Sequence, residues 1–212
     1  VPSLRRRNQI HQHNGVVSLL RVRQKVDAVT LDEITESILR HSGCSHGLCQ
    51  GATRFVPGEG NSEAEVVFVG EAPGATEEKT GRPFVGRAGN LLDELLVEAG
   101  MSRPEVYITN VVKARPPDNR DPTPVEIKHH SHWLHAQLKV IAPRLVVPLG
   151  SHALKFFCPH ITITAAHGML LTGSPRLFPM YHPSAALHDG RLMDTLYADA
   201  RMLRTSINWI GT

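Results

Sequence analysis

The chain lacks the long apolar stretch that a membrane-spanning helix needs, since no run approaches the ~18–20 residues required to cross a bilayer. The segment Val1 to His13 is polar and basic and so offers no signal-peptide core. Cysteine is scarce and odd in number: Cys44, Cys49 and Cys158 cannot all pair, which disfavours a secreted disulfide scaffold and fits a reducing compartment. A large excess of one charge is missing too. The net charge of +3 permits a nucleic-acid partner without demanding one, because only a clustered basic patch would do that. There is no internal repeat or low-complexity tract. These absences together point to a cytoplasmic or nucleoid-associated protein with no membrane partner.

What remains is a chain of 212 residues, long enough to bury a substantial core and expected to fold as one domain over residues 29–212. Residues Val1 to Ala28, with Arg5-Arg6-Arg7 and little periodicity, read as a poorly ordered arm. Thr30 and Glu33 form a capping-box pattern ahead of Leu31, Ile34, Ile38 and Leu39, which share one helix face. Short apolar strands are expected at Glu65 to Val69, Val106 to Thr109, Leu145 to Leu149 and Leu177 to Tyr181. Helices are expected at Ala88 to Ala99, Val125 to Ile141, His152 to Phe157 and Leu192 to Leu203. Strands alternating with helices predict a three-layer α/β/α sandwich around a short, mainly parallel four-stranded sheet. Gly70-Glu71, Asn110, Gly150-Ser151 and His182 each follow a predicted strand, so they are expected to meet at one mouth, where such sheets bind ligands.

The densest chemistry lies in Gly70 to Leu92, GEAPGATEEKTGRPFVGRAGNLL, which combines an acidic turn, an aromatic plate and a helix entry suited to a flat polar ring held beside a phosphate. Three islands accompany it: Tyr107-Ile108-Thr109-Asn110, the run Lys113 to Arg120, and Tyr181 to Leu187. Together, from about Thr30 to Leu203, they resemble a uracil-DNA glycosylase of the family 4 type within the wider uracil-glycosylase superfamily. The resemblance implies hydrolysis of the bond joining uracil to deoxyribose after the nucleotide leaves the base stack. It implies DNA containing uracil as substrate, an abasic-site product, initiation of base-excision repair, and action as a monomer on chromosomal DNA.

On that resemblance Phe84 stacks on uracil, while Asn110 reads its edge by accepting from N3–H and donating to O4. His182 donates to O2 as negative charge builds on the departing ring. Glu71 orients water or stabilises positive charge on the sugar; related enzymes carry an aspartate one residue further on, where Ala72 stands here. Backbone amides around Gly70 to Ala72 touch uracil, and Glu77 walls off its C5 edge against thymine, the plainer alternative being a solvated glutamate of the Glu77-Glu78-Lys79 run. Gly86, Arg87, Gly89, Gly150, Ser151, His152 and Ser184 are expected at DNA phosphates and Lys113 at a phosphate or in a structural contact, with Leu187 as a wedge in a loop after His182 and Arg191 as a backbone brace.

Family 4 members usually hold an iron-sulfur cluster on four cysteines. Here Cys44 and Cys49 stand in the first region at altered spacing, Ala114 takes the third position and His130 the fourth, so the cluster is expected to be absent and the fold metal-free. Zinc held by members of the set Cys44, His46, Cys49, His129, His130, His132 and His135 is the alternative. The loop Ala114 to Pro124 has no histidine for covalent capture of the product, and no lysine stands out as a Schiff-base nucleophile, so a monofunctional hydrolase is expected. Two other classes fit the same residues: a damage or abasic-site binding protein with weak excision, and a nucleotide-binding module.

Overall fold

A computed structural model describes residues 29–42 and 47–211. The expected arm Val1 to Ala28, together with Cys44 and His46, lies outside the described residues. In chain order the elements are α1 (Leu31–Leu39), α2 (Gly47–Gly51), β1 (Glu59–Gly60), β2 (Val66–Gly70), α3 (Ala75–Thr80), α4 (Arg87–Glu98), β3 (Tyr107–Asn110), α5 (Pro124–Ile141), β4 (Leu145–Pro148), α6 (Gly150–Phe157), α7 (Ile163–Ala166), β5 (Arg176–Leu177), α8 (Pro183–His188) and α9 (Met193–Gly211).

The sheet runs in the order β1-β3-β2-β4-β5. β3, β2, β4 and β5 are parallel, as expected, and the two-residue β1 adds an antiparallel edge. Both faces are covered, and side-chain alternation explains how. Val66 and Phe68 of β2 enter one core with Ile108 and Val147, packed against Leu92 and Leu95 of α4 and Leu196 and Leu203 of α9. Their neighbours Val67 and Val69 enter the other core with Tyr107 and Val146, against Ile34 and Ile38 of α1 and Trp133 and Leu134 of α5. Strands apolar on both faces are what a doubly covered parallel sheet requires.

The helix starts are set locally. Thr30 and Glu33 close the predicted capping box on α1, and Thr123 and Glu126 close another on α5, with Pro124 at the first helical position. Each such cap stabilises its helix by ~1 kcal/mol. Glu126 also receives both terminal nitrogens of Arg120, at 2.9 and 2.7 Å, and these bonds hold its carboxyl at about 2.

The connection from β2 to β3 carries α4 across one face, whereas the connection from β3 to β4 carries α5 across the other. The chain therefore changes faces at the carboxyl end of β2, and a crevice opens there in doubly wound sheets. Gly70 pairs in register with Asn110 at that end, and Glu71 follows directly.

Candidate active site

A cavity of about 530 Å³ occupies this crevice, lined by Glu71, Ala72, Glu77, Phe84, Asn110, Gly150, Ser151, His152, His182 and Ser184 among others. The residues expected to surround the base are thus brought together from four strand ends and the loop before α4.

Asn110 forms the floor. It is 1% exposed, and its side-chain Oδ1 has no hydrogen-bond partner. Leaving a buried acceptor unsatisfied costs ~1–3 kcal/mol, which marks a group kept for something that enters the site. Gly70 lets the amide and an aromatic ring meet, since a Cβ there would stand 2.4 Å from Asn110 Oδ1 and 2.5 Å from Phe84 Cζ. Any side chain at position 70 would separate the two.

Phe84 has φ of 51°, a left-handed conformation that is rare outside glycine and costs ~1–3 kcal/mol. Four contacts hold it there. Arg103 donates from Nη1 to the Phe84 carbonyl at 2.9 Å and from Nη2 to the Pro83 carbonyl. Glu77 Oε1 accepts from the Val85 and Gly86 amides at 2.9 and 2.8 Å. Position 89 must be glycine, since a Cβ there would stand 1.9 Å from the Phe84 carbonyl oxygen. Glu59 and Asp93 grip Arg103 in turn, at 2.7 and 2.9 Å.

His182 caps α8, and its ring centroid lies 5.5 Å from that of Phe84. The Ser184 amide donates to Nδ1 at 3.2 Å, and the Ser184 hydroxyl lies 2.7 Å from the same nitrogen. An accepting Nδ1 carries no proton, so the ring proton sits on Nε2 and faces the cavity. Burial lowers the pKa of His182 to about 4, with Glu77 opposing and His152 adding to the shift, so the imidazole is a neutral donor at physiological pH. Gly150 at φ 88° makes room for it, since a Cβ there would lie 2.9 Å from His182 Cβ.

Glu71 Oε1 is buried without an aligned hydrogen bond, and His152 Nδ1 lies 3.4 Å from it. Burial raises the Glu71 pKa above the usual carboxylate range, with His152 pulling it down and Asp121 pushing it up. His152 Nε2 lies 3.5 Å from Asp121 Oδ2, so a line of three ionisable groups runs from the cavity to its rim. Sequence reasoning placed His152 at a DNA phosphate together with Gly150 and Ser151, whereas the structure sets it beside Glu71. It missed Asp121 and Arg103, and nothing local distinguishes Arg103.

Several expected DNA contacts need correction. Lys113 is 0% exposed and cannot reach a phosphate: its Nζ meets Thr109 Oγ1, the Asn110 carbonyl and Gln137 Oε1, each at 2.7 Å. Those three acceptors favour the ammonium form, while burial pushes its pKa well below the ordinary lysine value. Leu187 is not in a loop but on α8, half-buried against the core. The Ser184 hydroxyl is taken up by His182, and Gly89 serves the Phe84 loop. Gly86 opens α4 and spends its amide on Glu77. Arg87 is exposed at the start of α4, Ser151 lines the cavity in the first turn of α6, and Arg191 is exposed and paired with Asp189 at 2.7 Å.

A four-thiolate cluster does not fit the region behind the site. Ala114 is fully buried and offers no donor. His130 is buried, with Nδ1 accepting the Lys113 amide at 3.0 Å. The Cys49 sulfur is met by imidazole nitrogens of His41 at 3.4 Å and His130 at 3.5 Å.

Residues 57–201 match the model of the uracil DNA glycosylase superfamily. The chain is 45% identical to the type-4 uracil-DNA glycosylase of Thermotoga maritima, over 75% of this chain and 84% of the relative. It is 41% identical to the type-4 enzyme of Sulfurisphaera tokodaii, over 82% and 84%. To the type-5 uracil-DNA glycosylase of Thermus thermophilus it is 36% identical, over 70% and 78%.

Proposed function

The chain belongs to the uracil DNA glycosylase superfamily, and from that premise we propose that its cavity hydrolyses the N-glycosidic bond of a uracil swung out of DNA. The observation that carries this reading is the unpartnered, buried Oδ1 of Asn110 beside the Phe84 ring. Uracil offers N3–H to that oxygen and O4 to the amide nitrogen. Cytosine presents an acceptor and an amino group at the same places, leaving two mismatched contacts in a dry pocket.

With the base stacked on Phe84, the proton on His182 Nε2 points toward O2, where charge accumulates as the bond to the sugar lengthens. A neutral, preoriented donor stabilises that charge more in the transition state than in the ground state. The Glu71 carboxylate orients the attacking water and faces the positive charge on the sugar, and Asp121 acts through His152 to hold that carboxylate in place. Glu77, fixed by two backbone amides, walls off the C5 edge. No lysine is found among the described residues lining the cavity, which supports water as the nucleophile, an intact strand and an abasic-site product that opens base-excision repair. Arg87 and Ser151 contact phosphates at the rim, with Leu187 and Arg191 on the side where the base leaves the stack, and one monomer suffices.

The test is uracil release from single-stranded, U:G and U:A oligonucleotides. Free uracil and an alkali-labile site are expected. Retention of abasic DNA without any release of uracil would instead identify a damage-binding protein.

A further inference from the structure

Behind the sheet and away from the cavity, three donor side chains from three elements converge. His41 follows α1, Cys49 lies on α2 and His129 on α5, and their ligand atoms all lie within 4.8 Å of one another. Cys49 Sγ is 3.4 Å from His41 Nε2, and His129 Nε2 is also 3.4 Å from His41 Nε2. In a tetrahedral zinc site, with Zn–N near 2.05 Å and Zn–S near 2.3 Å, adjacent ligand atoms stand about 3.3 to 3.6 Å apart. The two short edges match that spacing. The single in-plane lone pair of His41 Nε2 cannot serve a thiol and a second imidazole equally, whereas a cation between them serves all three.

We propose that His41, Cys49 and His129 bind one zinc-like divalent ion, a site independent of the catalytic reading above. One thiolate with two imidazoles is a donor set for zinc and not for an iron-sulfur cluster, which agrees with the misfit of four thiolates here. Cys49 coordinates as the thiolate, its proton passing to water. His130 is a supporting group and not a ligand. Its Nδ1 accepts the Lys113 amide at 3.0 Å, so Nε2 carries the proton and donates to the Cys49 sulfur at 3.5 Å. Such hydrogen bonds hold a metal-bound thiolate in place. The indole of Trp133 and the ring of Phe55 pack edge-on to His41, with centroids 4.9 and 5.4 Å away, and cover one side of the group, whose three members are half-buried. The ion ties the segment containing α1 and α2 to α5. The same His130 contact reaches Lys113, whose Nζ holds the Asn110 carbonyl, so metal binding also stiffens the strand that carries the base reader.

The test titrates the reduced, chelator-stripped full chain with Co²⁺. One equivalent is expected to produce a thiolate-to-cobalt charge-transfer band and the intense visible absorption of tetrahedral cobalt, both bleached by Zn²⁺. Cys49→Ser is expected to abolish the charge-transfer band. His41→Ala and His129→Ala should each weaken Zn²⁺ binding by more than the ~10–100-fold that losing a supporting hydrogen bond costs. Cys158→Ser, His132→Ala and Asp121→Asn should leave the titration unchanged. If the ligand variants fail to fold, alkylation of the wild type decides: Zn²⁺ should slow iodoacetamide modification of Cys49 and not of Cys158, as read by peptide mass spectrometry. The proposal is overturned if wild-type protein shows no charge-transfer band, carries stoichiometric iron with acid-labile sulfide, or leaves Cys49 equally reactive with and without zinc.

Discussion

Thr109 and Asn110 are neighbours on β3 and equally buried, yet their polar atoms are in opposite states. The Thr109 hydroxyl belongs to a closed network, donating to the Pro57 carbonyl at 2.8 Å and accepting from Lys113 Nζ at 2.7 Å. Gln137 completes it, its Nε2 donating to the Pro57 carbonyl at 2.9 Å and to Tyr107 Oη at 3.1 Å. One residue on, the Asn110 Oδ1 has no partner and points into a cavity. The network behind the strand makes β3 rigid, and that rigidity holds an acceptor in front of it whose desolvation is not repaid within the chain. Stability and function are thus divided between the two faces of one strand, and substitutions on the two sides should have opposite signatures.

The largest effect is expected on the cavity side. His182→Ala removes the donor to O2 and should slow single-turnover uracil release by ~10²–10³, while stability falls by no more than the ~1 kcal/mol that losing its cap on α8 costs; a near wild-type rate would break the comparison. Behind the strand, Lys113→Met removes the donor that three buried acceptors share. It should cost at least ~2 kcal/mol of stability by chemical denaturation, with excision retained wherever the protein is folded. A Lys113 variant as stable as wild type would mean that the network does not brace the strand.

Arg103 sharpens the contrast, because it stabilises a strained loop that serves the site. Arg103→Ala frees the Phe84 carbonyl and should reduce excision by about tenfold through a looser stacking plate, with KM raised more than kcat is lowered. Equal effects on both would place Arg103 outside positioning.

The smallest effect is a shift in a pH profile. Glu71 must be ionised, and burial has raised its pKa, so activity should fall with decreasing pH while still above the usual carboxylate range. His182 contributes no limb until about 4, since it is neutral above that value. Asp121→Asn removes a charge that raises the Glu71 pKa and should move the acid limb to lower pH. An unmoved limb would exclude Glu71 as its source.

Much of this arrangement is legible in the sequence because it rests on local rules. The box Thr30–Glu33 marks a helix start, and apolar runs flanked by turns mark the parallel strands, so the convergence of Gly70, Asn110, Gly150 and His182 follows from the alternation of elements. What is not legible depends on contacts made across the fold. β1, α3 and α8 are too short to show a period, which is why the Leu187 segment reads as a loop. Lys113 reads as a surface cation because its three acceptors come from β3 and α5 and meet only after folding. The left-handed backbone of Phe84 has no sequence signal, since it is imposed by Arg103, Glu77 and the space at Gly89. His41 stands alone in the chain and becomes a candidate ligand only when α5 brings His129 beside it.

The unsatisfied acceptor itself is tested most directly by Asn110→Ala, followed by single-turnover release of uracil from single-stranded DNA and by urea unfolding on the same preparation. The division of labour on β3 predicts a loss of excision of ~10²-fold or more together with stability equal to or above wild type, because a buried orphan has been removed. Excision at the wild-type rate, or a fall in stability to match that of Lys113→Met, would contradict it.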